Sequence, residues 1–388
     1  MKRRNAMIYL DHAASTPMSE KALAAYAAAA GRFYANTKSL HEEGQLAEEM
    51  LDILRKELAV LHNVPAQGLY FTSGGTEGNF LAITSLARFD SGGSGRHLIT
   101  TEIEHPSVLN TFSMLEKDGF SVTRLKPDKY GRISPAALQA ALRPETKLVS
   151  IQHVNSEIGT IQPISELGSV LKGTGALFHS DCVQSFGKVD FDPLSAGLDS
   201  FTTSAHKING PKGTGAVYIN PAIGFDPFYP NSAHENGFRP GTVDLPAVAA
   251  FTAAASETVS TQEIRLNKNR KLRKKFLSGI MDGNRKIMIE GHPQETAPHI
   301  IGLRVEGMEG QMLMQACSRN GIAFATGSAC SSSKQQPSHV LTAIGRTADE
   351  ARSFCRISLG SMTTGDEIDK TVDVFKHAIK EMLPVPRR

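Results

Sequence analysis

Short apolar runs alternate with helix-length segments over the first 220 residues of the chain. The runs at 69–73, 97–103, 121–125, 147–154, 176–180, 200–204 and 215–219 have strand length. Between them, apolar positions recur at helical spacing over 76–89, 106–118, 135–142 and 164–172. The alternation predicts an α/β domain with a mostly parallel, seven-stranded sheet between helices. After about residue 260 the pattern changes to a long polar helix, strands at "HIIGLRVEG" and "CRISLG", and helices near 309–320 and 366–382. We expect a large domain over 17–259 and a smaller α+β domain formed by 1–16 with 260–388. The basic run "RLNKNRKLRKK" (265–275) has Ile264, Leu272, Phe276 and Ile280 at helical spacing, which predicts the wet face of a helix rather than a docking patch. The low-complexity stretch "SACSSSKQQPS" (328–338) predicts an exposed loop.

Composition narrows the function without choosing it. No apolar run approaches the ~20 residues that cross a bilayer, and a formal net charge of +3 over 388 residues gives no nucleic-acid surface. The basic start has too few apolar residues before Asp11 for a signal-peptide core, and Met7 is a second candidate start. Cys182, Cys317, Cys330 and Cys355 form no CxxC pair and read as reduced thiols of a cytoplasmic protein. No residue is assigned as a metal ligand.

Ligands of an open parallel sheet sit beyond the carboxyl ends of its strands, so the residues after each run carry the chemistry. "SGGTEGN" (Ser73 to Asn79) follows the first run, Glu104-His105 the second and Asn155 the fourth. Asp181 and Gln184 follow the fifth, and Ser204, His206 and Lys207 the sixth. They make one candidate site provided the strands are adjacent. "SGGT", between a strand and a helix, is either an anion cup built from free helix amides or a plain glycine turn. It matches neither GxxxxGK[ST] nor GxGxxG, so a bound phosphate need not belong to a nucleotide. Asp181 is either half of a structural salt bridge or the partner of a protonated pyridine nitrogen, as in pyridoxal phosphate (PLP) enzymes. His105 is either a packed core histidine or, with Gln184, a neighbour of that ring. Lys207, beside a cup and a buried acid, can form a Schiff base with an aldehyde cofactor.

The ordered set "YLDHAAST", "FTSGGTEGN", "EIEHPSV", "VNSEIGTIQPI", "HSDCVQSFGK", "HKINGPKG", "FRPGT", "TGSACSS" and "CRISLG" resembles cysteine desulfurases of the NifS/IscS type over nearly the whole chain. The resemblance implies a homodimeric, fold-type I PLP-dependent transferase of the class V aminotransferase branch. It implies that Lys207 bonds the cofactor, that His105 stacks on the ring and moves protons, and that Asp181 pairs with the pyridine nitrogen. Gln184 would bond the ring hydroxyl oxygen. Gly75, Thr76, Ser204 and His206 would hold the phosphate, with Thr242 reaching the phosphate of the neighbouring subunit. Asn155 would lie at the ring close to the substrate, and Asn36 and Arg356 would hold the substrate carboxylate. Cys330, on a mobile loop at about 326–338, would take sulfur from L-cysteine as a persulfide, releasing L-alanine. Cys182, Cys317 and Cys355 read as packed, unreactive thiols.

The family passes persulfide to an iron–sulfur scaffold or a tRNA-thiolation protein, which is where iron–sulfur assembly and metal enter. The chain departs from the family pattern at "YPNSAHENGFRPGT", where Asn231, Ser232 and Ala233 replace a triple glycine and Pro240 stands for the usual Ser or Ala. The departure puts the sulfur acceptor in doubt, and a dedicated client such as the iron–sulfur enzyme quinolinate synthase is one expectation. The rival readings are another PLP enzyme of this fold (an aminotransferase, a kynureninase-like hydrolase or a selenocysteine lyase) and a catalytically dead scaffold subunit.

Overall fold

The structure, a computed structural model, is described over residues 7–89, 95–231, 234–282, 286–327 and 337–383. The elements run β1 (Ile8–Tyr9), α1 (Glu20–Arg32), α2 (Glu42–Leu61), β2 (Leu69–Thr72), α3 (Gly75–Arg88), β3 (His97–Thr101), α4 (Pro106–Lys117), β4 (Ser121–Leu125), α5 (Pro135–Ala141), β5 (Thr146–Ser150) and α6 (Ile164–Leu171). They continue with β6 (Leu177–Asp181), β7 (Ser200–Ser204), β8 (Gly215–Ile219), α7 (Leu245–Ser260), α8 (Gln262–Met281), β9 (Ile287–Glu290), β10 (Ile300–Val305) and α9 (Gly310–Arg319). The last are β11 (Ile322–Ala323), β12 (Ala325–Thr326), α10 (His339–Ala343), α11 (Ala348–Arg352), β13 (Phe354–Ser358) and α12 (Gly365–Met382).

Seven strands form one sheet in the order β2-β8-β7-β6-β5-β3-β4, parallel except for β8. Strands β7 and β8 are buried at every position, as expected of a sheet covered on both faces. The hydrophobic face of α2 (Ala47, Leu51, Leu54, Leu58) belongs to the same core as Phe71, Phe178 and Phe201 of the sheet. Alanines let α1 and α7 approach closely, through Ala22, Ala250 and Ala254.

Strands β12, β13, β10 and β9 form an antiparallel sheet with its own core, which includes Leu272, Phe276, Leu303, Leu313 and Phe375. β1 pairs in parallel with β11, so the start of the chain is tied to the C-terminal half. α12 begins with a capping box between Thr364 and Glu367, the local reason its amphipathic stripe starts there.

Helix α8 corrects one expectation. Leu272, Phe276 and Ile280 are buried, but Ile264, in its first turn, is 71% exposed. The basic run is also not wholly wet. Lys268 Nζ donates to Ser361 O at 2.7 Å, and Arg273 Nη1 donates to Ile300 O.

Candidate active site

β2 and β7 are both antiparallel to β8, so they run the same way, and the residues after β2, β3, β6 and β7 leave one edge of the sheet. A cavity of about 360 Å³ opens there. Gly75, Thr76, His105, Asp181, Gln184, Ser204, His206 and Lys207 line it, and Arg356 joins them from β13.

Lys207 closes a single 3₁₀ turn, Ala205–Lys207, directly after β7. The chain then reverses through Asn209 at φ +67° and Gly210, where a Cβ would lie 2.9 Å from Ala205 O. The turn aims Lys207 Nζ at the N-terminal segment, where it donates to Ala13 O at 2.6 Å and Ala14 O at 2.8 Å. Burial, reinforced by the Arg356 charge, pulls its pKa down from 10.5 to about 8, against opposing pulls from Asp181 and Asp11. A pKa of about 8 leaves roughly a tenth of the amine neutral at pH 7, far more than an ordinary lysine offers, and the neutral form is the nucleophile.

Asp181 ends β6 and is buried. Oδ2 accepts from Asn79 Nδ2 at 2.7 Å, and Oδ1 accepts from Val183 N at 3.0 Å. No basic side chain pairs with it within salt-bridge distance among the described residues, so the structural salt bridge is not its explanation. Asn79, one turn into α3, is fully buried and also donates to Ser107 Oγ at 3.0 Å. Its own oxygen lies 3.3 Å from His179 Nε2.

His105 is the N-cap of α4, followed by Pro106 at the first helical position. Ser107 N donates to His105 Nδ1 at 3.1 Å, so Nδ1 is the acceptor and the neutral ring carries its proton on Nε2. The ring lines an open cavity and is therefore solvent-accessible while walled by protein. Burial lowers its pKa despite the Asp181 charge, which keeps it neutral.

The β2–α3 junction is a cup. Gly74 adopts φ +141°, a conformation side chains avoid, and a Cβ on Gly75 would press within 2.8 Å of Val183 Cγ2. The first-turn amides of α3 have no partner within the helix and face an anion-favouring dipole. Ser204 Oγ is buried with no hydrogen-bond partner. An orphaned hydroxyl, a cup a Cβ would fill, a poised amine and a buried acid without a cation fit a phosphorylated pyridine aldehyde. Gln184 Nε2 donates to Ala13 O at 2.9 Å, and His206 Nδ1 lies 3.3 Å from Ser15 Oγ.

Across the cavity, Arg356 Nη2 donates to Asp11 Oδ1 at 2.7 Å and Nη1 to Ser156 O at 3.0 Å, while its buried Nε has no partner. Behind His105, Glu104 is fully buried, and burial pushes its carboxyl up to about 8 although Gln152 N and Thr101 Oγ1 donate to it. Glu104 O is 2.9 Å from His339 Nε2.

Other predicted residues lie elsewhere. Asn155 is buried, but its amide is consumed locally: Nδ2 donates to Ile103 O at 3.1 Å, and Oδ1 accepts from the amides of Glu157 and Ile158. It holds the turn that presents Val154 and Ser156 to the cavity. Asn36 and Thr242 meet each other at 3.5 Å on the surface, apart from the cavity lining. Cys330 lies outside the described residues, as do Ser232 and Ala233. Asn79 went unassigned in the sequence although it lies in "SGGTEGN". Its place one turn after the cup, on the side of the helix facing the sheet, was the available signal.

The fold and the cavity together define a site of the fold-type I, PLP-dependent class. The model of the family described as Aminotransferase class-V matches residues 8–371. A putative cysteine desulfurase NifS of Bacillus subtilis (strain 168) is 44% identical over 371 residues, covering 95% of this chain and 94% of its own length. The cysteine desulfurase IscS of Methanosarcina thermophila is 36% identical, covering 97% of this chain and 93% of its own. Among solved structures, a NifS-like protein superposes with a TM-score of 0.90 at 28% identity, covering 97% of this chain and 100% of its own. SspA in complex with cysteine does so with a TM-score of 0.79 at 33% identity, covering 91% and 98%. The chain belongs to the class-V aminotransferase family, in its NifS/IscS-type cysteine desulfurase group, whose members are PLP-dependent enzymes.

Proposed function

We propose that the protein removes sulfur from L-cysteine, releasing L-alanine and holding the sulfur as a persulfide on Cys330 for delivery to a protein acceptor. The observation that carries this reading is Lys207, held at a pKa of about 8 in a cavity with Asp181, Ser204 and Arg356, in a chain of this family. When bound, PLP supplies the electron sink that loosens bonds around the amino acid's α-carbon.

This chain's residues do the rest. Asp181, fixed by Asn79, supplies a negative charge for a pyridinium. The α3 cup and Ser204 take the phosphate. His105, neutral with its proton on Nε2, can give and take one proton beside Lys207. Arg356, anchored to Asp11 and Ser156, brings a positive charge to the cavity wall that suits a substrate carboxylate. In the sulfur step the Cys330 thiolate bonds the substrate sulfur and the Cβ–S bond breaks. The electron pair stays with Cβ, which gains a proton to become the methyl of alanine.

We further propose a homodimer. Leu23, Tyr34, Leu40, Leu46, Ile53 and Val60 are exposed on and between α1 and α2, the apolar side chains a partner subunit would cover. The adjoining Asn36–Thr242 pair is suited to complete a partner's site. We place the enzyme in the cytoplasm, since Cys182, Cys317 and Cys355 are buried free thiols. The acceptor is an iron–sulfur assembly or thiolation protein. The replaced glycines near Arg239 support a dedicated client such as quinolinate synthase, tested by comparing sulfur transfer to that client and to a general scaffold.

The deciding experiment is the visible spectrum of the holoenzyme before and after L-cysteine, with sulfide and alanine assayed in the same tube. Equal amounts of both products, lost in Cys330→Ser while the response to cysteine persists, support desulfuration. A response to cysteine without sulfide from the parent enzyme moves the function to another PLP reaction of the fold.

A further inference from the structure

Lys207 also forms part of the wall of a second cavity, of about 50 Å³, between the segment after β7 and α8. The charged and titratable side chains lining it are all basic: Lys188, Arg265 and Lys268, with His12 and His299. No aspartate or glutamate is among its lining residues. The nearby acids act at its edge. Glu257 approaches Arg265 at 3.5 Å, Asp11 and Glu367 are felt by His12, and Asp11 and Asp181 are felt by Lys207.

The donors in this cavity are poorly answered. Lys188 Nζ has a long contact to Gln184 Oε1, 3.4 Å, and Arg265 Nη1 one to Thr258 Oγ1, 3.3 Å. Lys268 is better satisfied, by Ser361 O at 2.7 Å. His299 is 3% exposed, yet both its ring nitrogens lack a partner, and His12 Nδ1 lacks one too. One nitrogen of a neutral imidazole must carry a proton, so a buried donor is left unmade here, a state that proteins rarely tolerate. Burial and repulsion from Lys207 and Arg265 pull Lys188 down to about 7, the sign of cations crowded without a counter-charge.

Lysine and arginine offer donors only, so a ligand that completes this set must accept, and the surplus of cations selects a negative one. The volume decides its size. About 50 Å³ is open to the centres of water molecules, against about 360 Å³ in the substrate cavity, which suits a few waters or one small inorganic anion better than an amino acid or a nucleotide. We propose that this cavity is a binding site for a small inorganic anion, held by Lys188, Arg265 and His299. Such an ion sits beside the Lys207 segment without entering the substrate cavity and favours the protonated form of Lys188.

The test uses holoenzyme and bromide. Crystals grown with bromide are measured at its absorption edge, and binding is titrated by bromide NMR line broadening against gluconate as the inert anion. An anomalous peak touching Lys188 and Arg265, with a saturable titration, is expected. Lys188→Met removes one charged donor and should weaken bromide binding about tenfold or more. Arg265→Gln gives the same readout if that variant does not fold. An empty cavity, a peak only at molar bromide without saturation (an adventitious ion only), or undiminished binding in the folded variants overturns the proposal.

Discussion

Asn79→Ala isolates the residue that fixes Asp181. In the parent, one carboxylate oxygen takes the Asn79 amide at 2.7 Å and the other takes a backbone amide. The substitution removes the side-chain bond and leaves a buried charge with a single close donor. A hydrogen bond to a charged group is worth about 1.5–3 kcal/mol. If Asp181 must hold its orientation to pair with a pyridinium, that loss appears in the cofactor dissociation constant as about a tenfold to hundredfold rise. The assay is rebinding of PLP to cofactor-stripped enzyme, followed by visible absorbance, alongside thermal unfolding of the stripped protein. Asn79 also contacts Ser107 and His179, so some loss of stability is expected in any case. The Kd separates the two roles. A lower unfolding midpoint with an unchanged PLP Kd refutes the reasoning and leaves Asn79 as a core hydrogen bond only.

Three further outcomes follow from other parts of the structure. Lys207→Ala should bind PLP without the visible band of the covalently held cofactor and lose turnover; parent rates in that variant remove Lys207 from the chemistry. Glu235→Ala strands Arg55, which makes two bonds to that buried carboxylate at 2.7 and 2.8 Å, and frees Phe71 N as well. Loss of one partner of a buried pair costs about 3–5 kcal/mol, read by urea unfolding, and a parent-like midpoint would show that the segment is not anchored there. Glu104 has a raised pKa in the folded state, about 8 against an ordinary 4.5, so its contribution to stability is full below about 4.5 and is lost as pH rises to about 8. Glu104→Gln should flatten stability against pH across that window, and parallel curves for the two proteins would contradict the assignment.

The sheet was legible because its strands are short segments rich in β-branched and aromatic residues, and the predicted runs at 121–125, 200–204 and 215–219 coincide with β4, β7 and β8. Helices α1, α2 and α7 were not foreseen. α1 and α7 carry alanine where a pattern search wants large apolar residues, and α2 spends Leu46, Ile53 and Val60 on its exposed side. Ile264 misled for a related reason: its spacing fits the stripe of α8, but the first turn lies beyond the core that the stripe meets. The polar residues at strand ends were legible as a set because sheet topology delivers them to one edge. Side-chain identity says nothing of backbone carbonyls, so the bonds from Lys207 to Ala13 and Ala14 could not be read in advance. Nor could the local use of Asn155, which depends on the turn it closes.

Those carbonyls point to how the two sheets share one site. The segment from Leu10 to Thr16 is bonded on both sides: Ser358 N donates to Leu10 O, Ala13 N to Ser358 Oγ, and Thr16 Oγ1 to His206 O. Within it, Asp11 holds Arg356 while Ala13 and Ala14 hold Lys207. The group suited to a substrate carboxylate and the group suited to the cofactor are thus positioned by seven consecutive residues rather than by direct contact with each other. Their positive charges repel, which helps to lower the Lys207 pKa, and the segment resists that repulsion with an ion pair on one side and two carbonyls on the other. A shift of this segment therefore changes both the hold on a substrate carboxylate and the protonation of the amine, so affinity for the amino acid and readiness of the lysine are mechanically linked.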